Sequence, residues 1–185
     1  MLIGDVDREI LELFSEDIAA FYSINQIAKR LGKKYPYLNK RVSSLLEQGI
    51  LKKSVLGNTY LCSLNLASDS AIAMLSMVEI ERREKAAARD RSLRQLIEQI
   101  KSEKREGLVC AVISGSRLIY VCQERLSLPK LTGFASSSVD KAGFLDMLCS
   151  SGVIKEHTIL YGFEGYFRLV REVEKELRAQ QLRDI

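Results

Sequence analysis

Glycine, proline and a capping pattern divide residues 23–64 into short pieces, and this division constrains the fold more than any other feature of the chain. The segment reads SINQIAKRLGKKYPYLNKRVSSLLEQGILKKSVLGNTYLCSL. Its opening serine and Gln26 form a capping-box pattern that predicts a helix start, and Gly32 predicts the end of that helix. Pro36 suits the first turn of a second helix, which Gly49 ends. The segment therefore begins with two short helices.

A hairpin is predicted directly after these helices. Two runs, 50–55 and 59–64, flank Leu56-Gly57-Asn58, where glycine and asparagine tolerate the positive φ that a tight turn requires. Upstream, apolar residues at helical spacing predict a further helix over 5–16. Three helices followed by a hairpin is the element order of a winged helix-turn-helix, which we assign to residues 1–66.

Basic residues concentrate in the same segment. Residues 24–53 contain eight lysines and arginines against one acid, Glu47, whereas residues 1–23 contain one arginine against six acids. The whole-chain net charge of +4 hides this polarity. A local basic surface on a helix-turn-helix is the expected footprint of a protein that neutralises DNA phosphates. Double-stranded DNA is therefore the predicted partner.

The helix that begins near Pro36 is the predicted recognition helix, because a major groove about 12 Å wide admits one helix and its exposed early residues reach base edges. Its polar face carries Tyr37, Lys40, Arg41 and Ser44. Arg41 is expected to read guanine with its forked donors, and Tyr37 to hydrogen-bond or pack against thymine methyl groups. The alternative is a solvated helix face in a winged helix that serves protein contacts.

The other basic residues are assigned to the DNA backbone. Three lysines before the recognition helix are predicted phosphate contacts, which set the register of a protein on DNA but read no sequence. They are Lys29, Lys33 and Lys34. Three hairpin residues are predicted to meet the backbone or the minor groove, namely Lys52, Lys53 and Asn58.

The rest of the chain divides at Gly107. Residues 68–105 contain no glycine or proline and many helix formers, which predicts a long linking or dimerisation helix at residues 67–106. Beyond it, the pattern predicts a hairpin over 108–113 and 118–122, a helix over 138–149, a strand over 158–161 and a final helix over 162–182. Residues 107–185 are thus expected to form a small α+β domain for an effector or for oligomerisation. The predicted fold class is α+β.

No catalytic residue, metal site or cofactor is predicted. The cysteines stand in apolar runs without a C-x-x-C pair, so we expect buried free thiols at Cys62, Cys110, Cys122 and Cys149. His157 precedes a strand, lacks a nucleophile pattern around it and is expected to be structural. Asp140 and Asp146 are six residues apart and fall on different sides of a helix. Ser114-Gly115-Ser116 is expected to be a hairpin turn and not a phosphate loop.

Residues 1–66 resemble the winged-helix DNA-binding domain of archaeal and bacterial transcription regulators, in the broad group that includes the MarR-like and ArsR-like families. YSINQIAKRLGKKYPYLNKRVSSLLEQGILKK and the following GNTYLCSLN carry the resemblance, which covers about a third of the chain. GNTYLCSLNL before a long helix, together with HTILYGFEGYFRLVREV, is similar to archaeal proteins in which a winged helix precedes a nucleotidyltransferase-like domain. Such enzymes hold magnesium with paired aspartates after a Gly-Ser turn, whereas here Gly115-Ser116 is followed by RLIYVCQERL. The resemblance therefore implies a degenerate, inactive domain.

Together these patterns predict a DNA-binding transcription regulator, a homodimer that reads two half-sites about one helical turn apart. No apolar run approaches the ~20 residues that span a bilayer. The acidic N-terminal stretch is unlike a signal peptide, so we expect a cytoplasmic protein without membrane contact. No pattern names an effector. Two alternatives remain: a nucleotidyltransferase-like protein or its toxin–antitoxin partner, and a winged-helix subunit for protein interactions.

Overall fold

The computed structural model describes residues 4–56, 59–102, 106–123, 135–150 and 157–183. Within these ranges the chain has eight helices and two small sheets, which confirms the α+β class. It divides into two compact units: the first comprises residues 1–78 and 174–185, and the second comprises residues 79–173. The helices are α1 Asp5–Glu16, α2 Ile24–Leu31, α3 Tyr35–Glu47, α4 Asp69–Arg89, α5 Arg91–Ser102, α6 Lys141–Ser150, α7 Phe163–Glu172 and α8 Glu174–Arg183. The strands are β1 Leu51–Leu56, β2 Thr59–Leu64, β3 Leu108–Ser114, β4 Arg117–Cys122, β5 Ala135–Val139 and β6 Thr158–Tyr161.

Three short helices build the core of the first unit. Ile10 and Phe14 of α1, Ile27 of α2, and Leu38 and Val42 of α3 are each completely buried. A fully buried side chain of this size contributes about 1.5–3 kcal/mol relative to an exposed one. The helical spacing that predicted these helices is therefore the spacing of their packed faces.

The predicted ends of α2 and α3 are confirmed. The Ser23 hydroxyl accepts a hydrogen bond from the Gln26 amide at 3.3 Å, and the Gln26 side chain accepts one from the Ser23 amide at 2.7 Å. Gly32 ends α2 at φ 62°, and Gly49 follows α3 at φ 68°. Pro36 occupies the first turn of α3. Local chemistry alone thus sets these boundaries.

The hairpin is antiparallel, with Lys53 opposite Cys62 and Val55 opposite Tyr60. Its strands agree with the prediction within one residue. Tyr22 adds a bridge to Cys62 through two backbone hydrogen bonds, at 3.0 and 2.8 Å. At Cys62, β2 is therefore paired on both of its edges, with β1 on one side and with Tyr22 on the other.

The predicted long helix at residues 67–106 is interrupted. α4 ends at Arg89 and α5 begins at Arg91, because the Asp90 carboxylate accepts hydrogen bonds from the Ser92 and Leu93 amides at 2.8 and 3.2 Å. The Arg94 side chain donates back to the carbonyl oxygen of Ala87 at 3.2 Å. An internal aspartate thus caps a new helix where neither glycine nor proline marks a break.

The predicted final helix also consists of two helices, and its second half belongs to the other unit. α7 and α8 are separated at Val173, with φ −105° and ψ 10°. α8 groups with the first unit, which also extends past the predicted boundary at residue 66 as far as Val78. The buried side chains of Ile72 and Leu75 explain this extension, and Arg178, described below, explains the grouping of α8.

The second unit contains a four-stranded sheet in the order β5-β4-β3-β6. The predicted β3–β4 hairpin and the β6 strand are confirmed, and β6 pairs antiparallel with β3. β5 pairs parallel with β4 through residues 135–139, so the helix predicted over 138–149 begins only at Lys141. One face of the sheet packs against α5 through a buried cluster that includes Leu96, Ile97, Ile100, Tyr120 and Leu160.

Two glycines bring α7 against β3. A Cβ atom at Gly162, where φ is 70°, would overlap the carbonyl oxygen of Val109. A Cβ atom at Gly165 would lie 2.7 Å from the same oxygen. Only residues without a side chain permit this approach.

Among the helices in the described ranges, none combines the length and the apolar character required to cross a membrane.

Candidate nucleic-acid interface

α3 presents its side chains in three directions. Leu38, Val42 and Leu45 face the core. Tyr37 and Lys40 are exposed, and Ser44 is half-buried beside them. Three of the four residues predicted for the recognition face therefore lie together on the solvent side of α3.

The fourth, Arg41, faces α1 instead. Its Nε donates to Asp7 Oδ1 at 2.9 Å, and its Nη2 contacts the second oxygen of the same carboxylate. The hydrogen bond to Asp7 raises the pKa of Arg41. Asp7 is only 7% exposed, so the pair fixes α3 on α1 in a partly desolvated setting. The Nε and Nη2 donors of Arg41 are thus engaged with Asp7. The base-reading role expected for Arg41 stays a prediction.

Two of the predicted backbone lysines are also paired within the chain. Lys33 Nζ lies 2.8 Å from Glu9 of α1. Lys52 Nζ lies 2.8 Å from Glu174 of α8. Because their partners are far away in sequence, the local pattern could not reveal these ion pairs.

The other described lysines of the predicted set form the remaining basic surface, which we call the lysine surface: Lys29, Lys34, Lys40 and Lys53. All four are exposed, and within the described part of the chain none of them pairs with a carboxylate. Lys53 Nζ lies 3.6 Å from the centroid of the Tyr60 ring. Asn58, predicted for the hairpin tip, lies outside the described residues.

A cavity of about 380 Å³ lies between the N-terminal end of α2, one side of α3 and the hairpin. Its polar lining includes Asn25, Tyr35, Asn39, Ser43, Lys53 and Tyr60. Burial raises the pKa of the Cys62 thiol in its wall, while Lys53 acts in the opposite direction. The lining therefore offers a lysine, hydroxyls and side-chain amides, all of which can hydrogen-bond to a phosphate or to a base edge.

The prediction missed the part of α3 that lines this cavity. Tyr35, Asn39 and Ser43 recur every four residues, which is the spacing of one helix face. This signal was present in the sequence. The sequence does not show, however, that the hairpin lies beside this face of α3, and it is the hairpin that makes the face one wall of the cavity.

The residues set aside as non-catalytic have structural contacts. His157 is 5% exposed, and its ring stacks on Tyr166 at a centroid distance of 4.9 Å. Asp140 Oδ1 accepts a hydrogen bond from the Gly143 amide at 2.8 Å, in the first turn of α6. Gly115, at φ 57°, lies in the turn between β3 and β4, as predicted. No group of three metal-ligating side chains occurs among the described residues.

The chain matches no protein-family model, no curated protein and no solved structure. The lysine surface and the cavity are therefore the features of the chain that bear on its function.

Proposed function

We propose that this protein is a double-stranded DNA-binding transcription regulator in which the first unit is a winged helix. In this proposal α3 enters the major groove and the hairpin is the wing that meets the backbone. The chain is a homodimer that reads two half-sites, and the second unit serves an effector or the dimer contact.

The observation that carries the proposal is the lysine surface. Eight basic residues lie in residues 24–53. Internal partners engage Lys33, Arg41 and Lys52, while Lys29, Lys34 and Lys40 stay exposed around α2 and α3. Exposed cations that the described chain does not neutralise supply the counterion release that drives DNA binding.

Within this proposal, each predicted DNA-contacting residue is given the role that agrees with its contacts in the structure. We assign Tyr37, Lys40 and Ser44 to base edges, because they occupy the solvent side of α3. Lys29 and Lys34 are assigned to phosphates. Lys53 is assigned to the backbone next to the cavity. Arg41 is assigned to the orientation of α3 through Asp7, so its removal would weaken DNA binding without relaxing preference at one base.

The test is binding of the full chain to a random-sequence duplex between about 50 and 200 mM salt, with the mass of the free protein measured in parallel. We expect a dimer whose dissociation constant is about 10⁻⁴–10⁻⁶ M and rises steeply with salt. Lys34→Ala should reduce the slope of log K against log salt by about 0.9, the value of one phosphate contact. Lys101→Ala, which removes an exposed lysine of α5, is the matched control and should leave the slope unchanged. Equal effects of the two variants, or no binding at the lowest salt, would contradict the proposal.

A second candidate function is a protein-docking winged helix. Tyr35, Tyr37, Val55 and Tyr60 are 46%, 52%, 66% and 58% exposed. Aromatic and aliphatic side chains at this density are also typical of protein interfaces. Weak DNA binding that does not change with salt would favour this function.

Nucleotidyl transfer is the third candidate, and the sequence of β4 disfavours it. β4 follows the Gly115-Ser116 turn with the sequence RLIYVC, which contains no carboxylate. We therefore expect no heat of binding when the chain is titrated with nucleotide and magnesium.

A further inference from the structure

Within the first unit, α8 covers the hairpin through two charged residues. Arg178 is 8% exposed, and it donates from Nη1 to the Ser63 hydroxyl at 2.7 Å and from Nη2 to the Leu64 carbonyl oxygen at 2.6 Å. Its guanidinium also lies 5.2 Å from the centroid of the Phe21 ring. One buried arginine thus holds α8 to β2.

Glu174 completes the contact on the other strand. Its Oε1 lies 2.8 Å from Lys52 Nζ on β1 and 2.7 Å from Arg178 Nη2. Glu174 and Arg178 are four residues apart and lie on one side of α8. Lys52 and Ser63 stand directly opposite each other in the β1–β2 ladder. Glu174 and Arg178 on α8 therefore contact Lys52 and Ser63, which face each other across the hairpin. In this way α8 binds both strands at the same level of the ladder.

This position adjoins the lysine surface. Lys53 follows Lys52 on β1 and therefore points to the opposite face of the hairpin, where its ammonium lies over Tyr60. A change in the hairpin at Lys52 and Ser63 consequently moves Lys53 as well.

The contact combines charged and apolar groups, because Leu177 of α8 is buried as well as Arg178. Burial lowers the pKa of Arg178, and the Glu174 carboxylate acts against this effect. The attraction in a buried ion pair nearly cancels its desolvation cost, whereas loss of one partner leaves an uncompensated charge. Loss of Glu174 is therefore expected to weaken the docking of α8.

The covalent chain connects this contact to the second unit. Only Val173 separates α8 from α7. α7 in turn is fixed on β3 by the close approach of Gly162 and Gly165 to Val109, inside the second unit. The backbone of α8 thus follows that of α7 after a single residue.

We propose that α8 is a coupling arm: it fixes the hairpin through Glu174 and Arg178, and its one-residue connection to α7 makes the mobility of the hairpin depend on the state of the second unit. The part of this inference that concerns DNA rests on the function proposed above. The mechanical part does not depend on it.

The first test is amide hydrogen exchange of β1 and β2 in the full chain, with no DNA present. Glu174→Gln should accelerate exchange of these amides by roughly tenfold or more, as expected for the loss of a buried charge-assisted contact. Glu176→Gln makes the same chemical change at an exposed position of α8 and should leave exchange unchanged. Equal exchange in the two variants would overturn the proposal.

The second test perturbs the second unit and breaks the connection. Leu169→Ala removes a buried side chain of α7 and should accelerate hairpin exchange by about tenfold. Insertion of Gly-Gly-Ser between Val173 and Glu174 should abolish that response while α8 remains docked. Val170→Ala, which removes less volume, replaces Leu169→Ala if the latter unfolds the second unit.

The outcomes separate this inference from the proposed function. No response of the hairpin to the α7 variants, or a response that persists after the insertion, overturns the coupling arm. In the second of these cases, transmission would run along another route, such as α4. Absence of DNA binding in the salt series overturns the proposed function alone, because hydrogen exchange measures the coupling without DNA. If DNA binds, Glu174→Gln should weaken binding and Glu176→Gln should not.

Discussion

Three exposed lysines of the first unit and two buried charged residues of the second unit differ in what they can bind. The first unit leaves Lys29, Lys34 and Lys40 exposed. In the second unit, Glu79 is 1% exposed and Arg83 is 5% exposed. Charges that remain in water can exchange their hydration for a partner, whereas buried charges have already lost it.

The contacts of the buried charges show that they serve the fold. Arg83 Nη1 donates to the carbonyl oxygen of Leu160 at 2.8 Å, and its guanidinium lies 4.9 Å from the Phe163 ring centroid. This arginine therefore joins α4 to β6 and to α7. The comparison teaches that the abundance of charge in a segment does not by itself indicate a binding surface, because the contacts of each charged residue decide whether it can meet a partner.

The largest predicted effect tests whether the second unit depends on close backbone packing. Gly162→Ala should destabilise that unit by roughly 3–5 kcal/mol, because the new methyl group overlaps the Val109 carbonyl oxygen in addition to the cost of positive φ. Gly115→Ala is the control, since its φ is also positive but its Cβ would meet open space. Its cost should be about 1–2 kcal/mol. Hydrogen exchange resolved by segment measures both; equal costs would show that α7 is not held by this contact.

The next effect tests whether an ion pair orients α3 in the first unit. Asp7→Asn should cost about 1–3 kcal/mol in chemical denaturation, because it leaves the Arg41 guanidinium without its carboxylate in a partly buried position. Asp5→Asn disrupts an exposed pair with Arg8, where the distance is 3.1 Å, and should change stability by less than about 0.5 kcal/mol. A small loss in both variants would mean that packing alone orients α3.

A smaller effect tests the helix start next to the cavity. Ser23→Ala removes the acceptor for the Gln26 amide and should cost about 1 kcal/mol. Ser23→Asp retains an acceptor and should restore most of the loss. If the alanine and aspartate variants unfold at the same denaturant concentration, the capping box contributes nothing to stability.

The smallest expected change in stability at neutral pH concerns the buried Tyr166 of the second unit. The effect of Tyr166 on stability becomes larger at high pH. Tyr166 has no hydrogen-bond partner for its hydroxyl among the described residues, so Tyr166→Phe should change stability by less than about 1 kcal/mol at pH 7. Burial raises the pKa of Tyr166 well above its ordinary value. The folded chain therefore retains a proton that the unfolded chain releases near pH 10, and stability falls as pH rises through that value.

Denaturation at a series of pH values from 7 to 11 tests this expectation. The wild type should lose up to about 1.4 kcal/mol per pH unit from Tyr166 above pH 10. Burial also raises the pKa of Cys110, which adds a loss that begins near pH 9. Tyr166→Phe should lose the Tyr166 part of this slope and retain the contributions of Cys62, Cys110 and Tyr22, whose pKa values burial also raises. An unchanged alkaline slope in that variant would show that Tyr166 ionises without unfolding.

Elements with local signals were predictable from the sequence. α2 and the two hairpins carry their own caps and turns within a few residues, so the pattern indicated their ends correctly. The breaks at Asp90 and Val173 were not predictable, because helical periodicity and good helix formers continue through both positions. A residue that caps a helix in one context is tolerated inside a helix in another.

The candidate site was predictable only in part, for a different reason. Side-chain type and helical position indicated Tyr37, Lys40 and Ser44, which lie together on the solvent side of α3. The ion pair of Arg41 was not predictable, because its partner stands 34 residues earlier in the chain. Spacing along a helix shows which residues share a face, but the neighbouring helix decides which face remains exposed.

The first unit is made from both ends of the chain, with the second unit inserted between them, and this has a consequence for synthesis on the ribosome. Ser63 and Arg178 are separated by 115 residues. At the ~5–20 residues per second of translation, roughly 6–23 seconds pass between the synthesis of Ser63 and that of Arg178. During that interval the outer face of β1 and β2 is bare, and a nascent chain of this protein offers that face to chaperones or to another nascent copy before α8 covers it.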